Sequence, residues 1–489
     1  MKLDHIIEGM QTIRVQGMTD IEIPSLTSDS RAVTPGSLFV ALSGGEKDGH
    51  DFIADALRRG AAAVIAEHDI ESIRCHRGTP FIIVEDSRDA LAFVANRFYG
   101  APSHSMSLIG ITGTNGKTTT SYIIKAILEA SGKKVGLIGT IKYIIGSTEF
   151  DARFTTPEAI EYQRLLKEMR DEGCEYVVSE VSSHALAQKR VDAVRFISAV
   201  FTNLTRDHLD FHKSMESYLA AKKRLFTDLL DVSGTAVINS DDPVSREIIR
   251  DTRGRIMTYG IHNPADVMAK DIVQDFRGVR FTVSHGGPEY GISTRLIGIP
   301  NVYNLLAAIA TAHSLGIPRD IIVRAVAGMA PVIGRFESIT SRDGVLFIID
   351  YAHTPDALEN LLATVEGLPH RQVITVFGCG GNRDRGKRPL MGRIASEKSD
   401  FVVITSDNPR FEDPDEIIKD ITMGIAGGNF IAVTDRQEAV KEAVKRSGRG
   451  DIVVLAGKGH ETYQEIKGKR HHMDDRELVQ DALRSLGLN

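Results

Sequence analysis

The chain has 489 residues, too many for one hydrophobic core, and its length sets an expectation of about three domains. An apolar share of 42% and a charged share of 25% are those of an ordinary globular protein. A net charge of -6, with both signs interspersed, gives no basic stripe for nucleic acid or an anionic membrane surface, so neither is expected as a partner. Cys75, Cys174 and Cys379 are widely spaced and form no CxxC pair, which suits a reduced cytoplasm and excludes a disulfide framework or a thiolate zinc site. Charges interrupt the first residues, so no signal peptide is expected, and no apolar run reaches the roughly 20 residues of a membrane span.

The first segment reads as a small α/β unit. Apolar runs at 37–42, 62–66 and 80–84 predict strands, and helical patterns at 51–60 and 88–99 alternate with them. Polar clusters at 27–31 and 44–50 predict loops, and Pro102 to Ser105 reads as a linker.

Next comes Ser107 to Thr120, an apolar run ending in a glycine-rich loop with a lysine and hydroxyls. Residues 108–112 predict a buried strand, and 117–130 predict a helix. Between them Gly113, Thr114, Asn115, Gly116, Lys117, Thr118 and Thr119 predict a turn that cradles phosphates. The glycines let backbone N–H groups close on the phosphates, Lys117 supplies a point charge, and Thr118 or Thr119 offers a hydroxyl to magnesium. The spacing is shorter at the front than G-x-x-x-x-G-K-[ST], and a merely tight strand-to-helix turn would share its glycines. The order strand, loop, helix favours a nucleotide triphosphate site.

Further strands are predicted at 134–139, 176–179, 196–201 and 234–238. In an open parallel sheet the loops after them share one crevice, which would bring Glu180, Asp207 and His208 toward the phosphates. Glu180 could equally be a solvated carboxylate at a helix start. His208 and His212, four apart without an intervening Glu, are not a zinc signature. From about Gly334 a third α/β region is predicted, with strands at 345–349, 372–377, 400–404 and 451–455. The Gly378 to Gly381 run lacks dinucleotide spacing and leads into Arg383, Arg385, Lys387 and Arg388. Beside Asp407, Asn408 and Arg410 this loop suits a carboxylate or zwitterionic ligand, because guanidinium binds carboxylate bidentately; a solvated charged loop is the alternative.

Together the segments 113–119, 179–186, 202–210, 218–222, 301–304, 334–337, 350–356 and 457–461 resemble, in order and along essentially the whole chain, the Mur ligases. That resemblance implies an α/β protein of three domains: 1–104 binding a uridine nucleotide, 105–333 a central ATPase domain built on a P-loop-like parallel sheet, and 334–489 a Rossmann-like domain bringing an amino acid. It implies a cytoplasmic, monomeric ligase of peptidoglycan precursor synthesis that forms an amide through an acyl phosphate. By similarity Lys117 neutralises the β- and γ-phosphates of ATP. Thr118 and Glu180 ligate one Mg2+, and His208 helps bind a second beside Lys222, which the family carries as a carbamate (N6-carboxylysine). Asn301, Asn304, Arg335 and Asp350 match positions around the nucleotide. Ser30, Thr155, Thr156, Ser182, Gln188 and Arg190 match positions lining UDP-N-acetylmuramoyl-L-alanyl-D-glutamate.

Asp407, Asn408, Pro409 and Arg410 resemble the motif of the family's meso-diaminopimelate-adding branch, with Arg410 toward the distal carboxylate. Arg383, Gly457 and Glu461 complete that pocket, Glu461 facing an ammonium. Asn382 departs from the aspartate that relatives often carry there. Lysine addition, or a folate-polyglutamate type of ligase, is the alternative within ligases, and a nucleotide-switched binding protein is the alternative outside them.

Overall fold

The computed structural model describes residues 1–44, 47–68 and 78–488; Cys75 lies outside them. Three large sheets, separate along the chain, carry the architecture. The N-terminal sheet runs in the order Arg14–Gln16, Phe81–Ile83, Ala63–Ala66, Leu38–Val40, Leu26–Thr27, parallel except for its first strand. Asp86 caps its helix Ser87–Phe98 by accepting from the N–H groups of Arg88 and Asp89. The helix expected at 51–60 begins as a 3-10 turn, Gly49–Phe52, before Ile53–Arg58.

The central sheet has eleven strands. Seven are mutually parallel, in the order Val267–Asp275, Arg255–Gly260, Leu230–Asn239, Phe196–Phe201, Ser107–Thr112, Tyr176–Glu180, Val135–Ile138. Its middle strands pack on both faces, so Ser107–Thr112, Val135–Ile138 and Phe196–Phe201 read as near-continuous apolar runs. Ile109 and Ile111 pack with Ile123, Ile127, Val302 and Leu305, whereas Leu108 packs on the opposite face with Leu166, Leu225 and Phe226. Antiparallel strands extend both edges: Lys142–Ile145 with Thr148–Asp151, and Gly278–Ser284 with Tyr290–Thr294. These hairpins add antiparallel edges, which the sequence reading did not predict, to the expected parallel sheet.

The C-terminal sheet runs Glu337–Thr340, Leu346–Asp350, Ile452–Ala456, Val373–Phe377, Phe401–Ile404, Phe430–Ala432, antiparallel only at its first strand. Alternate residues of Leu346–Asp350 face two helix layers: Leu346 and Ile348 one, Phe347 and Ile349 the other. The fold is α/β in three domains, a central P-loop-like one and a Rossmann-like C-terminal one. No helix among the described residues is long and apolar enough to cross a membrane.

Candidate nucleotide and amino-acid sites

The strand Ser107–Thr112 delivers the glycine loop to the N-terminus of Lys117–Ala130. Gly113 and Gly116 have φ of 152° and 85°, and a Cβ on Gly113 would lie 1.8 Å from Thr202 Oγ1. The loop after the neighbouring strand Phe196–Phe201 pins the glycine loop: Thr114 N donates to Asn203 O (2.9 Å), Asn115 N to Asn203 Oδ1 (2.9 Å), and Thr202 Oγ1 to Asn115 O (2.6 Å). Lys117 folds back, donating from Nζ to Gly113 O (2.9 Å) and Thr114 O (2.8 Å). Burial holds its pKa below the usual lysine value.

Thr118 Oγ1 donates to Glu180 Oε2 (2.9 Å), as does Thr140 Oγ1 (2.8 Å), and Thr140 N donates to Oε1 (3.0 Å). Thr119 is buried beside them. Glu180 is fully buried and, among the described residues, has only neutral hydrogen-bond donors and no ion pair. A buried carboxylate without a cation next to a hydroxyl fits a magnesium site, because Mg2+ takes one or two protein oxygens and leaves the rest of its shell to phosphate and water. No group of three His, Cys, Asp or Glu among the described residues is arranged to hold a metal, so the protein supplies only part of such a shell.

Lys222, on the helix Met215–Thr227, is also buried; Nζ donates to Gly113 O (2.8 Å) and lies 4.4 Å from the Tyr218 ring. Burial first, and the charge of Lys117 second, lower its pKa well below the ordinary value. His208, with φ of 54°, stands over the same Tyr218 ring, and its Nε2 is 3.4 Å from Asp207 Oδ2. Burial lowers its pKa. Lys117, Glu180, His208 and Lys222 therefore surround one loop.

The helix Ile299–Ser314 closes the floor. Asn304 Nδ2 donates to Asn301 Oδ1 (3.0 Å), Thr120 Oγ1 donates to Asn304 Oδ1 (3.3 Å), and Asn301 Nδ2 donates to Ile297 O (2.7 Å). From the C-terminal domain, Arg335 Nη2 reaches Thr118 Oγ1 (3.3 Å). Asp350 accepts from Phe336 N (2.7 Å) and Ala352 N (2.8 Å); burial raises its pKa and Arg335 opposes the rise. Asp356 Oδ2 accepts from Asn115 Nδ2 (3.1 Å) and Thr205 Oγ1 (2.8 Å), a cross-domain contact that sequence reading missed. Its signal was the end of the 350–356 motif, just after the Thr354 helix cap.

Thr155, Thr156, Ser182, Gln188 and Arg190 form one group next to Glu180. Thr155 Oγ1 meets Thr140 Oγ1 (3.1 Å), Thr156 Oγ1 donates to Glu180 O (2.8 Å), Ser182 N donates to Thr156 Oγ1 (3.0 Å), and Arg190 joins Thr156 O (3.0 Å) to Gln188 Oε1 (2.6 Å). Ser30 lies apart from them, buried in the N-terminal domain at the 3-10 turn Ser30–Ala32.

In the C-terminal domain Asp407, Asn408, Pro409 and Arg410 follow the strand Phe401–Ile404. Arg410, φ 53°, donates from Nη1 to Gly381 O (2.9 Å), with Nε 3.5 Å from Glu465 Oε2. A Cβ on Gly457 would lie 2.8 Å from Asp407 Oδ2, and Gly457 N donates to Asp350 O (3.0 Å), tying this pocket to the nucleotide side. The basic loop is mostly structural, which corrects its reading as a carboxylate-binding cluster. Arg388 is fully buried against Glu412 (2.9 Å) and Asp420 (2.8 Å), Arg385 also pairs with Asp420 (3.0 Å), and Lys387 Nζ donates to His353 O (2.7 Å). Arg383 is exposed and, among the described residues, unpaired. Glu461 already meets an ammonium, that of Lys458, at 3.0 Å.

Comparison with known proteins gives matches along nearly the whole chain. Residues 22–99 match the Mur ligase family catalytic domain, 111–312 the Mur ligase middle domain, and 334–459 the Mur ligase glutamate ligase domain. The chain is 45% identical over 488 residues to the UDP-N-acetylmuramoyl-L-alanyl-D-glutamate--2,6-diaminopimelate ligase of Clostridioides difficile (strain 630), covering 99% of each. It is 45% identical over 491 residues to the protein of that name from Geobacillus thermodenitrificans (strain NG80-2), again covering 99% of each. A solved structure of a ligase of that name superposes over 100% of both chains with a TM-score of 0.72 at 33% identity. The fold is shared with the MurF ligase from Thermotoga maritima in complex with ADP, at a TM-score of 0.63, 22% identity and coverage of 94% of this chain and 97% of that one. With three Mur ligase domains matched in order along the chain and relatives aligned end to end at 45% identity, this protein belongs to the Mur ligase family.

Proposed function

We propose that the chain is an ATP-dependent amide-bond-forming ligase that joins meso-2,6-diaminopimelate to the D-glutamyl γ-carboxylate of UDP-N-acetylmuramoyl-L-alanyl-D-glutamate, a cytoplasmic step of peptidoglycan precursor synthesis. The observation that carries it is that the C-terminal domain, which this reading gives the amino acid, reaches the nucleotide loop of the central domain. Arg335 of the C-terminal domain touches Thr118 of the nucleotide loop, and the same domain carries Arg410, beside Glu465, and Glu461, beside Lys458, the two residues this reading assigns to the charged groups of a zwitterion.

In this reading the γ-carboxylate takes the terminal phosphoryl group of ATP, giving an acyl phosphate and ADP. The diaminopimelate amine adds to the acyl carbon, the tetrahedral intermediate collapses, and phosphate leaves with the amide formed. Lys117 exchanges its two carbonyl partners for phosphate oxygens, and Arg335 adds a second cation over the transferring group. Thr118 and Glu180 are the residues to hold one Mg2+, and His208 with Lys222 a second. Bound magnesium would spread the charge of the phosphates and of the leaving oxygen. Lys222, as a neutral amine, is set to add CO2 and lose a proton, which gives the anionic carbamate. Asn301, Asn304 and Asp350 hold the nucleotide; Ser30, Thr155, Thr156, Ser182, Gln188 and Arg190 hold the muramoyl-dipeptide; Arg383, Asp407, Asn408, Pro409, Arg410, Gly457 and Glu461 hold the amino acid. Domain limits of 1–104, 105–333 and 334–489, and a monomeric state, belong to the same reading; sedimentation against the single-chain mass checks the latter.

The test is ATP-dependent phosphate release with UDP-muramoyl-dipeptide and meso-diaminopimelate, L-lysine or no amino acid. Only diaminopimelate should drive turnover, and Arg410→Ala should raise its KM roughly tenfold to a hundredfold by losing a charged hydrogen-bond donor. Equal use of lysine would transfer the protein to the lysine-adding counterpart. ATP turnover indifferent to either amino acid would favour a nucleotide-switched binding protein.

A further inference from the structure

Lys458 follows the strand Ile452–Ala456, and its side chain has no exposed surface. Its Nζ donates to Asn408 Oδ1 (3.1 Å), to Glu461 Oε2 (3.0 Å) and to the carbonyl oxygen of Tyr463, so all three of its protons are engaged. Lysine is almost never fully buried unless paired, and a buried ion pair is commonly matched in stability by apolar side chains of similar volume. Stability alone therefore gives no reason for an ammonium here.

Its effect on the neighbouring groups does give one. Asn408 Oδ1 accepts from both Lys458 Nζ and Glu465 N (2.8 Å), which fixes the amide and turns Nδ2 toward Glu461 Oε2 (2.9 Å). Glu461 Oε2 is thus filled by two donors. Oε1 has no hydrogen bond among the described residues, and the Glu461 side chain keeps 15% of its surface exposed. One oxygen is anchored and the other is left open as an acceptor.

We propose that Lys458 is a positioning residue for the amino-acid substrate: it orients Glu461, directly and through the Asn408 amide, so that Glu461 Oε1 is presented to an ammonium of the incoming diamine, and its effect on that substrate runs through Glu461. The inference rests on the ligase reading above and adds to it a residue that acts through Glu461.

The experiment is steady-state kinetics of the full chain as wild type, Lys458→Met, Glu461→Gln and the double variant. Lys458→Met should raise the KM for diaminopimelate roughly tenfold to a hundredfold, and leave the KM values for ATP and UDP-muramoyl-dipeptide within about twofold. The two substitutions should not add: the double variant should have the diaminopimelate KM of Glu461→Gln alone. An unchanged diaminopimelate KM in Lys458→Met, additive effects, or a parallel rise in all three KM values would overturn the proposal. If Lys458→Met does not fold, the double variant, free of a lone buried charge, carries the comparison with Glu461→Gln; a clearly higher KM in the double variant overturns the proposal. Absence of any diaminopimelate turnover by the wild type would instead overturn the ligase reading, and this inference with it.

Discussion

Two amines, those of Lys117 and Lys222, donate to one carbonyl oxygen, that of Gly113. Burial disfavours the charged form, and a second ammonium in so small a volume adds to the cost, so Lys222 loses its proton far more easily than a surface lysine. A neutral amine is what CO2 addition requires, and this supports the carbamate proposal. Lys222→Ala should lose nearly all ligase activity; full activity of that variant independent of bicarbonate would refute it. Nearby, burial pushes His184 and His212 down to about 4, so both rings stay neutral at neutral pH. The unfolded chain binds protons on them near pH 6.5 and the folded chain does not, so stability is lost as pH falls from about 6.5 to 4. Thermal melts at pH 7 and pH 5 should show the drop, and His184→Gln should reduce it.

At the level of elements, the glycine loop, its strand and its helix were legible because hydrophobic period and turn chemistry agree there. The helix Lys117–Ala130 occupies the residues predicted for it. The loop's geometry is set from outside it. A Cβ on Gly116 would lie 2.3 Å from Asn304 Oδ1, on a helix nearly two hundred residues away, at a φ of 85°. Gly116→Ala should therefore cost about 1–3 kcal/mol, read by denaturant unfolding, and raise the KM for ATP together with it. The edge hairpins were not legible. The strand Val267–Asp275 contains a register shift between Lys270 and Val273, with Asp271 at a φ of 51°, and such a bulge breaks the alternation that marks a strand. The strands Lys142–Ile145 and Thr148–Asp151 are four residues each, too short for a periodic signal.

Across the whole molecule, the nucleotide loop is shared between domains. Asp356 accepts from Asn115 and Thr205, and Arg335 reaches Thr118, so two points of the C-terminal domain hold the loop of the central one. Asp356→Ala removes both acceptor contacts of one point. Small-angle scattering of that variant without nucleotide should give a larger radius of gyration than the wild type; an identical profile would show that the remaining contacts suffice.

The three α/β units, the strand–glycine loop–helix unit and the motifs shared with Mur ligases could all be read without coordinates. Each of those rests on local order, where residue spacing and backbone chemistry act within a few turns of chain. Which charges are available depends instead on long-range packing. Arg385 and Arg388 look as free as Arg383 in the sequence, yet Asp420 and Glu412 consume them. Lys458 looks like a surface lysine between two glycines, yet it is buried against Asn408 and Glu461. Partners so distant along the chain are chosen by packing, and a charge's neighbours, which fix its chemistry, are written in no local pattern.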